Sequence, residues 1–250
     1  MAVAALEVSN LSYSYPEGEP ALHGVSFTID DGERVALLGP NGAGKSTLLW
    51  CLVGILRVQG KVTVAGTELK EGTEAEVRRK LGLAFAEPDD QLFMPTVARD
   101  VTFGPRAAGD TPDEAERKAR TAIAQVGLSH DVIDRPPYEL SSGERRRAAL
   151  ASILTLSPAI LALDEPTNSL DARGRWSLAQ TLAGLPCAQL IATHDLGFAQ
   201  CVCQRALVLV DGRLTADVPM HELVNDTASL IEYGLAVPTE TDHEQTELLR

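Results

Sequence analysis

The stretch Gly39-Pro40-Asn41-Gly42-Ala43-Gly44-Lys45-Ser46-Thr47 decides the fold of this chain. It matches the pattern GxxxxGK[ST] in full, which builds a loop between a strand and a helix. The apolar run 35–38 before the loop predicts that strand. Apolar residues spaced along 48–53 predict one buried face of the following helix. We call residues 39–47 the P-loop.

The chemistry of the P-loop suits a polyphosphate. Gly39, Gly42 and Gly44 let the backbone turn tightly and direct its N–H groups inward, and the helix N-terminus adds positive potential. Lys45 would neutralise the β- and γ-phosphates, and the Ser46 hydroxyl would ligate Mg²⁺. The alternative is a glycine-rich turn with a solvated lysine, but the complete pattern and its flanks argue against it.

Net charge restricts the classes of partner. The 250 residues carry a formal charge of −13, which argues against nucleic acid and against direct adhesion to anionic lipid. No apolar run approaches the roughly 20 residues of a membrane helix. We therefore expect no direct membrane insertion, and a role at a membrane would require a protein partner. The cysteines form no CxxC pair, which predicts reduced, buried thiols.

Periodicity and turn residues predict an α/β core interrupted by a helical lobe at about 87–156. Prolines punctuate 86–112, which predicts mostly loop with one short helix near 97–101. Thr111 and Glu114 predict a capping box, and Gly127 a helix stop. Asp211-Gly212 predicts a hairpin turn. The predicted strands are 6–15, 25–29, 35–38, 61–65, 81–85, 160–163, 189–192 and 206–210, and the other predicted helices are 73–80, 142–156 and 173–185.

A second pattern places carboxylates at the end of a buried strand. The apolar run 160–163 leads into Asp164 and Glu165. A rigid strand would hold Asp164 where it can bind the Mg²⁺ shell. Glu165 would face a different target and polarise a water in line with the γ-phosphate. Alone, this pattern is weak evidence for a functional site, but after a complete P-loop it is strong evidence.

With these motifs the chain resembles the ATP-binding-cassette ATPases over nearly its whole length. Leu140-Ser141-Ser142-Gly143-Glu144 resembles their LSGGQ signature, and Asp164-Glu165-Pro166-Thr167 their extended Walker B motif. Ser169-Leu170-Asp171 matches the D-loop, Thr193-His194-Asp195 the switch histidine, and Tyr15 the aromatic that stacks on adenine. The resemblance implies a P-loop ATP-binding-cassette nucleotide-binding domain over 1–238, with an antiparallel β subdomain, the inserted helical subdomain, and a polar acidic tail at 239–250.

The resemblance also implies a mechanism and its residues. Two cassettes would face each other head to tail, so the partner would be a second copy or a paralogue. The implied catalytic residues are Lys45, Glu165 as general base, and His194. Ser46 and Asp164 are the implied ligands of Mg²⁺. The implied nucleotide-binding residues are Tyr15, Gly39, Asn41, Gly42, Gly44, Lys45, Ser46, Thr47, Ser141, Gly143 and Asp171.

One segment indicates the subgroup. Pro88-Asp89-Asp90-Gln91-Leu92-Phe93 and the residues up to Pro105 resemble the ATPases of energy-coupling-factor and cobalt or nickel importers. In that group the region 86–105 (Ala86 to Pro105) lies beside the groove for a transmembrane subunit, which implies a peripheral protein at the cytoplasmic face of the membrane. The alternatives are vitamin uptake, a soluble cassette that assembles iron–sulfur clusters, and a P-loop kinase.

The chain departs from the family at several positions. Ala86 stands where the family has a Gln that reaches Mg²⁺ or the attacking water, so we expect slower turnover. Ser142 replaces the first Gly of the signature and Glu144 its Gln, and we expect the Glu144 side chain to point away from phosphate. We interpret the basic run 145–147 as a solvated helix face, and Tyr15 and His194 have the alternative of ordinary packed or surface residues.

Overall fold

The computed structural model describes residues 4–16, 18 and 20–236. The predicted tail at 239–250 lies outside them. The strands are β1 Ala4–Ser14, β2 Pro20–Asp30, β3 Arg34–Leu38, β4 Gln59–Val64, β5 Thr67–Glu68, β6 Leu81–Ala84, β7 Ile160–Asp164, β8 Ala188–Ala192, β9 Arg205–Val210 and β10 Arg213–Pro219. The α-helices are α1 Lys45–Leu52, α2 Glu74–Lys80, α3 Val97–Ala107, α4 Pro112–Gln125, α5 Ser142–Leu154, α6 Ala172–Ala183, α7 Leu196–Val202, α8 Met220–Leu223 and α9 Thr227–Glu232.

The strands form two sheets. An antiparallel sheet has the order β2-β1-β4-β5, and a larger sheet has the order β10-β9-β3-β8-β7-β6. In the larger sheet, β9, β3, β8, β7 and β6 are parallel, and β10 pairs antiparallel at one edge. The predicted antiparallel subdomain and α/β core are therefore confirmed.

The parallel sheet is buried on both faces, as its unbroken apolar strands require. In β3, Val35 and Leu37 face a core shared with the antiparallel sheet and α1. Ala36 and Leu38 face the opposite core, which includes α4 to α7. Side chains alternate along a strand, so this one strand joins both halves of the molecule.

The strand order brings the functional segments to one edge. β8 lies between β3 and β7, and all three strands run in the same direction. At their carboxyl ends, β3 leads into the P-loop, β8 leads into Thr193, and β7 ends at Asp164. Ligands of open α/β sheets bind beyond the carboxyl ends of the strands, so this edge is the candidate site. β6 follows at the end of the row and leads into Ala86.

The helical lobe contains α3, α4 and α5, and one prediction for it was wrong. The short helix predicted at 97–101 extends to Ala107 and contains Pro105. Thr96 caps its start by accepting a hydrogen bond from the Arg99 N–H, and Val101 and Pro105 are buried. Packing against the lobe thus stabilises a helix that continues through Pro105, where the proline pattern predicts loop. The capping box of Thr111 and Glu114 is confirmed.

Other boundaries also differ. β2 starts at Pro20 and not at residue 25, while β1 ends before Tyr15. The hairpin turn at Asp211-Gly212 is confirmed between β9 and β10, with positive φ at both residues. Helices α7, α8 and α9 were not predicted because they are short. No helix within 4–236 is long and apolar enough to cross a membrane.

The cysteines are free in the structure, but not all are buried. Cys51 and Cys203 are buried, and burial raises the pKa of each thiol to about 12. Cys187 is half-buried, whereas Cys201 is exposed near the end of α7. The prediction of buried thiols is wrong for Cys201, because the sequence did not show the helix that directs it to solvent.

Candidate active site

The P-loop backbone depends on glycine at two close approaches. A Cβ on Gly39, which has φ +152°, would lie 2.1 Å from the Leu209 carbonyl oxygen. A Cβ on Gly44, which has φ +101°, would lie 2.9 Å from the Ala21 carbonyl oxygen. Both neighbours are backbone atoms that cannot give way. The loop therefore lies against both sheets and delivers the chain into α1 at Lys45.

The Lys45 side chain crosses the loop that precedes it. Its Nζ donates to the carbonyl oxygens of Gly39, at 2.7 Å, and Pro40, at 3.1 Å, and only 7% of the residue is exposed. Burial lowers the pKa of Lys45, while the nearby negative charges of Glu165 and Asp164 act in the opposite direction. The ammonium group is thus held where the loop would receive phosphates.

The carboxylate of Asp164 lies at the buried end of β7. Burial raises its pKa; the Ser46 hydroxyl and the Lys45 charge oppose this, whereas Glu165 adds to it. The Oδ1 atom of Asp164 is buried without a hydrogen-bond partner. An orphaned carboxylate oxygen beside a hydroxyl matches the oxygen ligands that Mg²⁺ prefers, so Ser46 and Asp164 fit the predicted metal site.

Glu165 lies between two other predicted catalytic residues. Its Oε1 is 3.9 Å from Lys45 Nζ, and its Oε2 is 2.9 Å from His194 Nδ1. Its backbone has φ +42°, an uncommon conformation for a non-glycine residue that often marks functional sites. Its N–H donates to the Ala192 carbonyl of β8 at 2.8 Å. Neighbouring strands thus bring Lys45, Glu165 and His194 together, and their catalytic roles stay predictions.

Tyr15 and Thr47 lie together beside the P-loop. Their hydroxyls are 3.0 Å apart, and the Tyr13 ring packs edge-on against Tyr15 at a centroid distance of 4.9 Å. Tyr15 is exposed and is not a core aromatic. The residue is 39% exposed, and stacking on adenine stays a prediction.

The signature residues are not brought to this cluster. Ser141 caps the start of α5 and is exposed. Within residues 4–236 that the structure describes, no hydrogen bond or ion pair joins Ser141 or Gly143 to the P-loop. Asp171 caps α6 by accepting from the Gly174 N–H at 2.7 Å. The contacts of Ser141, Gly143 and Asp171 with nucleotide therefore stay predictions.

We expected the Glu144 side chain to point away from the predicted phosphate-binding residues, but it folds back onto Ser141. Its Oε2 accepts hydrogen bonds from the Ser141 N–H, at 2.8 Å, and the Ser141 hydroxyl, at 2.6 Å. The arrangement is a capping box, which the spacing Ser-x-x-Glu predicts. The signature pattern and the helix-start pattern therefore overlap in this stretch, and Ser141 and Glu144 belong to both.

The basic run 145–147 is not a solvated face. Arg146 is 6% exposed and donates to the carbonyl oxygens of Phe85 and Asn168, each at 3.2 Å. Arg145 is half-buried and lies 3.3 Å from the Asp89 carboxylate. Arg146 follows Ser142 by one helical turn, so the helical spacing alone indicated that it shares a face with the signature.

Comparison with known proteins identifies the arrangement. The sequence profile of the family described as ABC transporter matches residues 22–168. The chain belongs to this family. It is 49% identical, over 95% of its length and 91% of the relative's, to a putative ABC transporter ATP-binding protein of Streptomyces coelicolor. It is 39% identical, over 93% and 86% of the two lengths, to the energy-coupling factor transporter ATP-binding protein EcfA of Methanosphaera stadtmanae.

Solved structures agree with this assignment. The cassette is similar to cbiO1 of Clostridium perfringens, part of the ABC transporter complex cbiONQ, with a TM-score of 0.81, 31% identity and coverage of 97% and 99% of the two chains. It is also similar to a dimeric ATP-binding cassette in a post-hydrolysis state bound to ADP and Pi, with a TM-score of 0.77, 25% identity and coverage of 86% and 98%. This chain is therefore an ATP-binding ATPase of the ABC transporter family.

Proposed function

We propose that this chain is the ATP-hydrolysing subunit of a membrane importer for cobalt or nickel ions, bound at the cytoplasmic face of the membrane. The observation that carries the catalytic part is the placement of Glu165, with one oxygen 3.9 Å from Lys45 Nζ and the other 2.9 Å from His194 Nδ1. A carboxylate between a cation and a histidine, beside a phosphate-binding loop, suits hydrolysis of a phosphoanhydride.

The P-loop and its neighbours would bind ATP. Backbone N–H groups from Gly39 to Thr47 would surround the phosphates, and Lys45 would exchange its loop carbonyls for phosphate oxygens. Tyr15 would stack on adenine, next to Thr47. Mg²⁺, when held by Ser46 and Asp164, would neutralise charge on the β- and γ-phosphates.

Hydrolysis would follow from the positions of three side chains. Glu165 accepts a proton from a water molecule, whose oxygen forms a bond to the γ-phosphorus. The bond from that phosphorus to the bridging oxygen breaks, and ADP and phosphate leave. His194 contacts the γ-phosphate and holds Glu165 through the 2.9 Å interaction. Lys45 stabilises negative charge that develops on the phosphate oxygens.

A second cassette would complete the nucleotide site. No hydrogen bond or ion pair joins Ser141 or Gly143 to the P-loop of their own chain within the described residues, yet Ser141 is exposed at a helix start, where anions bind. A dimeric cassette is among the matched structures. We therefore place Ser141, Gly143 and Asp171 on the nucleotide held by the partner's P-loop.

The membrane subunit would dock beside the segment 86–105. Phe93 and Phe103 are 64% and 45% exposed, and their rings pack edge-on at 5.2 Å. A mainly apolar cavity of about 260 Å³ next to this segment is lined by residues that include Ile55, Phe85 and Leu156. Exposed aromatic groups beside an apolar groove are typical of a site that receives an amphipathic helix.

The choice of a metal ion as solute rests on the segment 88–105 and on the likeness to a protein named as part of cbiONQ. The relative named EcfA favours the broader class of energy-coupling-factor importers, so vitamin uptake is the second candidate. The cassette itself would not touch the solute in either case, because transport occurs through the membrane subunits.

Reconstitution tests the proposal. The chain is purified in detergent with the membrane proteins that bind it, the complex is placed in liposomes with ATP enclosed, and uptake of radioactive cobalt, nickel and vitamins from outside is measured. We expect ATP-dependent uptake of cobalt or nickel. Vitamin uptake would replace the metal assignment, and a cassette that hydrolyses ATP but recovers no membrane subunit would contradict the transport role.

A further inference from the structure

Helix α5 contacts the D-loop, residues 169–171, and the residue before it in two places. The Ser142 hydroxyl donates to the Ser169 carbonyl oxygen at 3.2 Å, and Arg146 Nη2 donates to the Asn168 carbonyl oxygen at 3.2 Å. Residues four apart lie on the same face of a helix. One face of α5 therefore holds two consecutive carbonyl groups. We call Ser142 and Arg146 the D-loop clamp.

The second arm of Arg146 reaches another functional segment. Its Nη1 donates to the Phe85 carbonyl oxygen at 3.2 Å, and Phe85 precedes Ala86 at the end of β6. The planar guanidinium can hold two acceptors in fixed directions, which the single ammonium of a lysine does less well. Arg146 thus links the D-loop to the segment proposed to meet the membrane subunit.

Helix α6 holds the far end of the D-loop, because Arg175 Nε donates to the Leu170 carbonyl oxygen at 3.3 Å and Asp171 caps that helix. The contacts from α5 hold the near end of the D-loop. It follows a turn in which the Asn168 N–H donates to the Glu165 carbonyl and the Leu170 N–H to the Thr167 carbonyl, each at 3.2 Å. Ser169 has φ +63°, a conformation that costs free energy for a non-glycine residue. A strained turn of this kind persists where surrounding contacts over-determine it, and the D-loop clamp supplies such contacts.

We propose that Ser142 and Arg146 are positioning residues that hold the D-loop against the signature helix, so that both motifs reach the partner's nucleotide as one rigid unit. The proposal rests on the two-cassette site proposed above. Ser142 occupies a position where the family pattern has Gly, so its hydroxyl adds a contact that Gly lacks. Arg146 connects this unit to the end of β6, because it donates to the backbone carbonyl of Phe85. The next residue is Ala86, whose methyl group offers no such contact.

Hydrogen–deuterium exchange on the isolated chain tests the clamp directly. Arg146→Met should increase exchange roughly five- to ten-fold at 168–170, with faster exchange at 85–87, and Arg146→Lys should fall between Met and the parent. Ser142→Ala should increase exchange at 169–171 alone. Ser129→Ala, an exposed serine after α4, and Arg120→Met, an exposed arginine in α4, are the matched controls and should leave these segments unchanged.

Ser142→Ala keeps the test decisive even if removal of buried Arg146 unfolds the lobe, because Ser142 lies at the surface. Unchanged exchange at 169–171 in Ser142→Ala, or at 168–170 in a folded Arg146→Met, would overturn the clamp. Exchange throughout β1 and β2 reports whether each variant is folded.

A second measurement separates the clamp from the proposed function. In a Glu165→Gln background, ATP should drive dimerisation of the parent, and the clamp variants should need more ATP for the same dimer fraction while the monomer binds ATP equally well. Failure of the Glu165→Gln parent to dimerise would contradict the two-cassette site. Normal dimerisation of both clamp variants, with a dimerising parent, would contradict the clamp alone.

Discussion

We call the surface that carries Lys45, Glu165 and His194 the P-loop face, and the surface that carries Ser141 and Gly143 the signature face. The two faces differ in whether their predicted functional side chains contact one another within one chain. On the P-loop face, Glu165 contacts both Lys45, at 3.9 Å, and His194, at 2.9 Å. On the signature face, the side-chain hydrogen bonds that Ser141 makes within the described residues go to Glu144 of the helix that it caps. The proposed catalytic side chains on the first face are therefore already in contact within one chain, whereas the second face is an assembled helix start whose proposed ligand belongs to another protomer.

The largest effect should come from Glu165→Gln. Removal of a general base slows a reaction by about 10²- to 10⁴-fold, while the amide preserves the side-chain shape and ATP binding. We expect almost no phosphate release and a stable ATP-bound dimer, measured by a phosphate assay and by size-exclusion chromatography. Glu116→Gln, on the exposed face of α4, is the control. Hydrolysis at the parental rate would show that Glu165 is not the base.

The next effect tests the signature face with two equivalent capping boxes. Ser141→Ala and Thr111→Ala each remove a cap hydroxyl paired with a glutamate, at the starts of α5 and α4. Both should lower the free energy of unfolding by about 1 kcal/mol. Only Ser141→Ala should slow hydrolysis, by roughly ten- to a hundred-fold, because it also loses a hydrogen bond to charged phosphate. Equal rates in the two variants would contradict a role for Ser141 at nucleotide.

A smaller effect is expected at the end of β6. Ala86→Gln adds an amide that can hydrogen-bond the attacking water or the metal shell, and a single such bond contributes about 1 kcal/mol. We expect hydrolysis to become about five-fold faster, with a changed dependence on Mg²⁺ concentration. Ala86→Leu adds similar bulk without the amide and should not accelerate the reaction. If Gln leaves both rate and Mg²⁺ dependence unchanged, Ala86 does not limit turnover.

The smallest effect concerns pH. Hydrogen bonds from Thr111 lower the pKa of Glu114, so their contribution to stability is present above the usual carboxyl pKa and is lost as pH falls through the lowered value. The stability difference between the parent and Thr111→Ala should therefore shrink between about pH 7 and about pH 3. Chemical unfolding at several pH values measures it, and a constant difference would contradict the coupling. The Ser141 pair should behave alike, because the Ser141 hydroxyl lowers the pKa of Glu144.

The residues that sequence patterns selected on the P-loop face lie close together in the structure, because each of these motifs follows its own strand. Apolar runs ending in Asp164 and before Thr193 imply strands whose last residues carry chemistry, and parallel packing brings such ends together. The patterns were less informative in the lobe. A proline misled the interpretation of α3, since the burial of Val101 and Pro105 depends on helices that the local sequence does not show.

By itself the amino-acid sequence determined the P-loop, the carboxylates after β7, the cap of α4 and the family resemblance, because each depends on residues close together in the chain. Only the tertiary structure decided that Glu165 lies between Lys45 and His194, that Arg146 is buried between Phe85 and Asn168, and that α3 continues through Pro105. These features arise where segments far apart in sequence bury one another, and the free energy of that burial outweighs what local residues prefer.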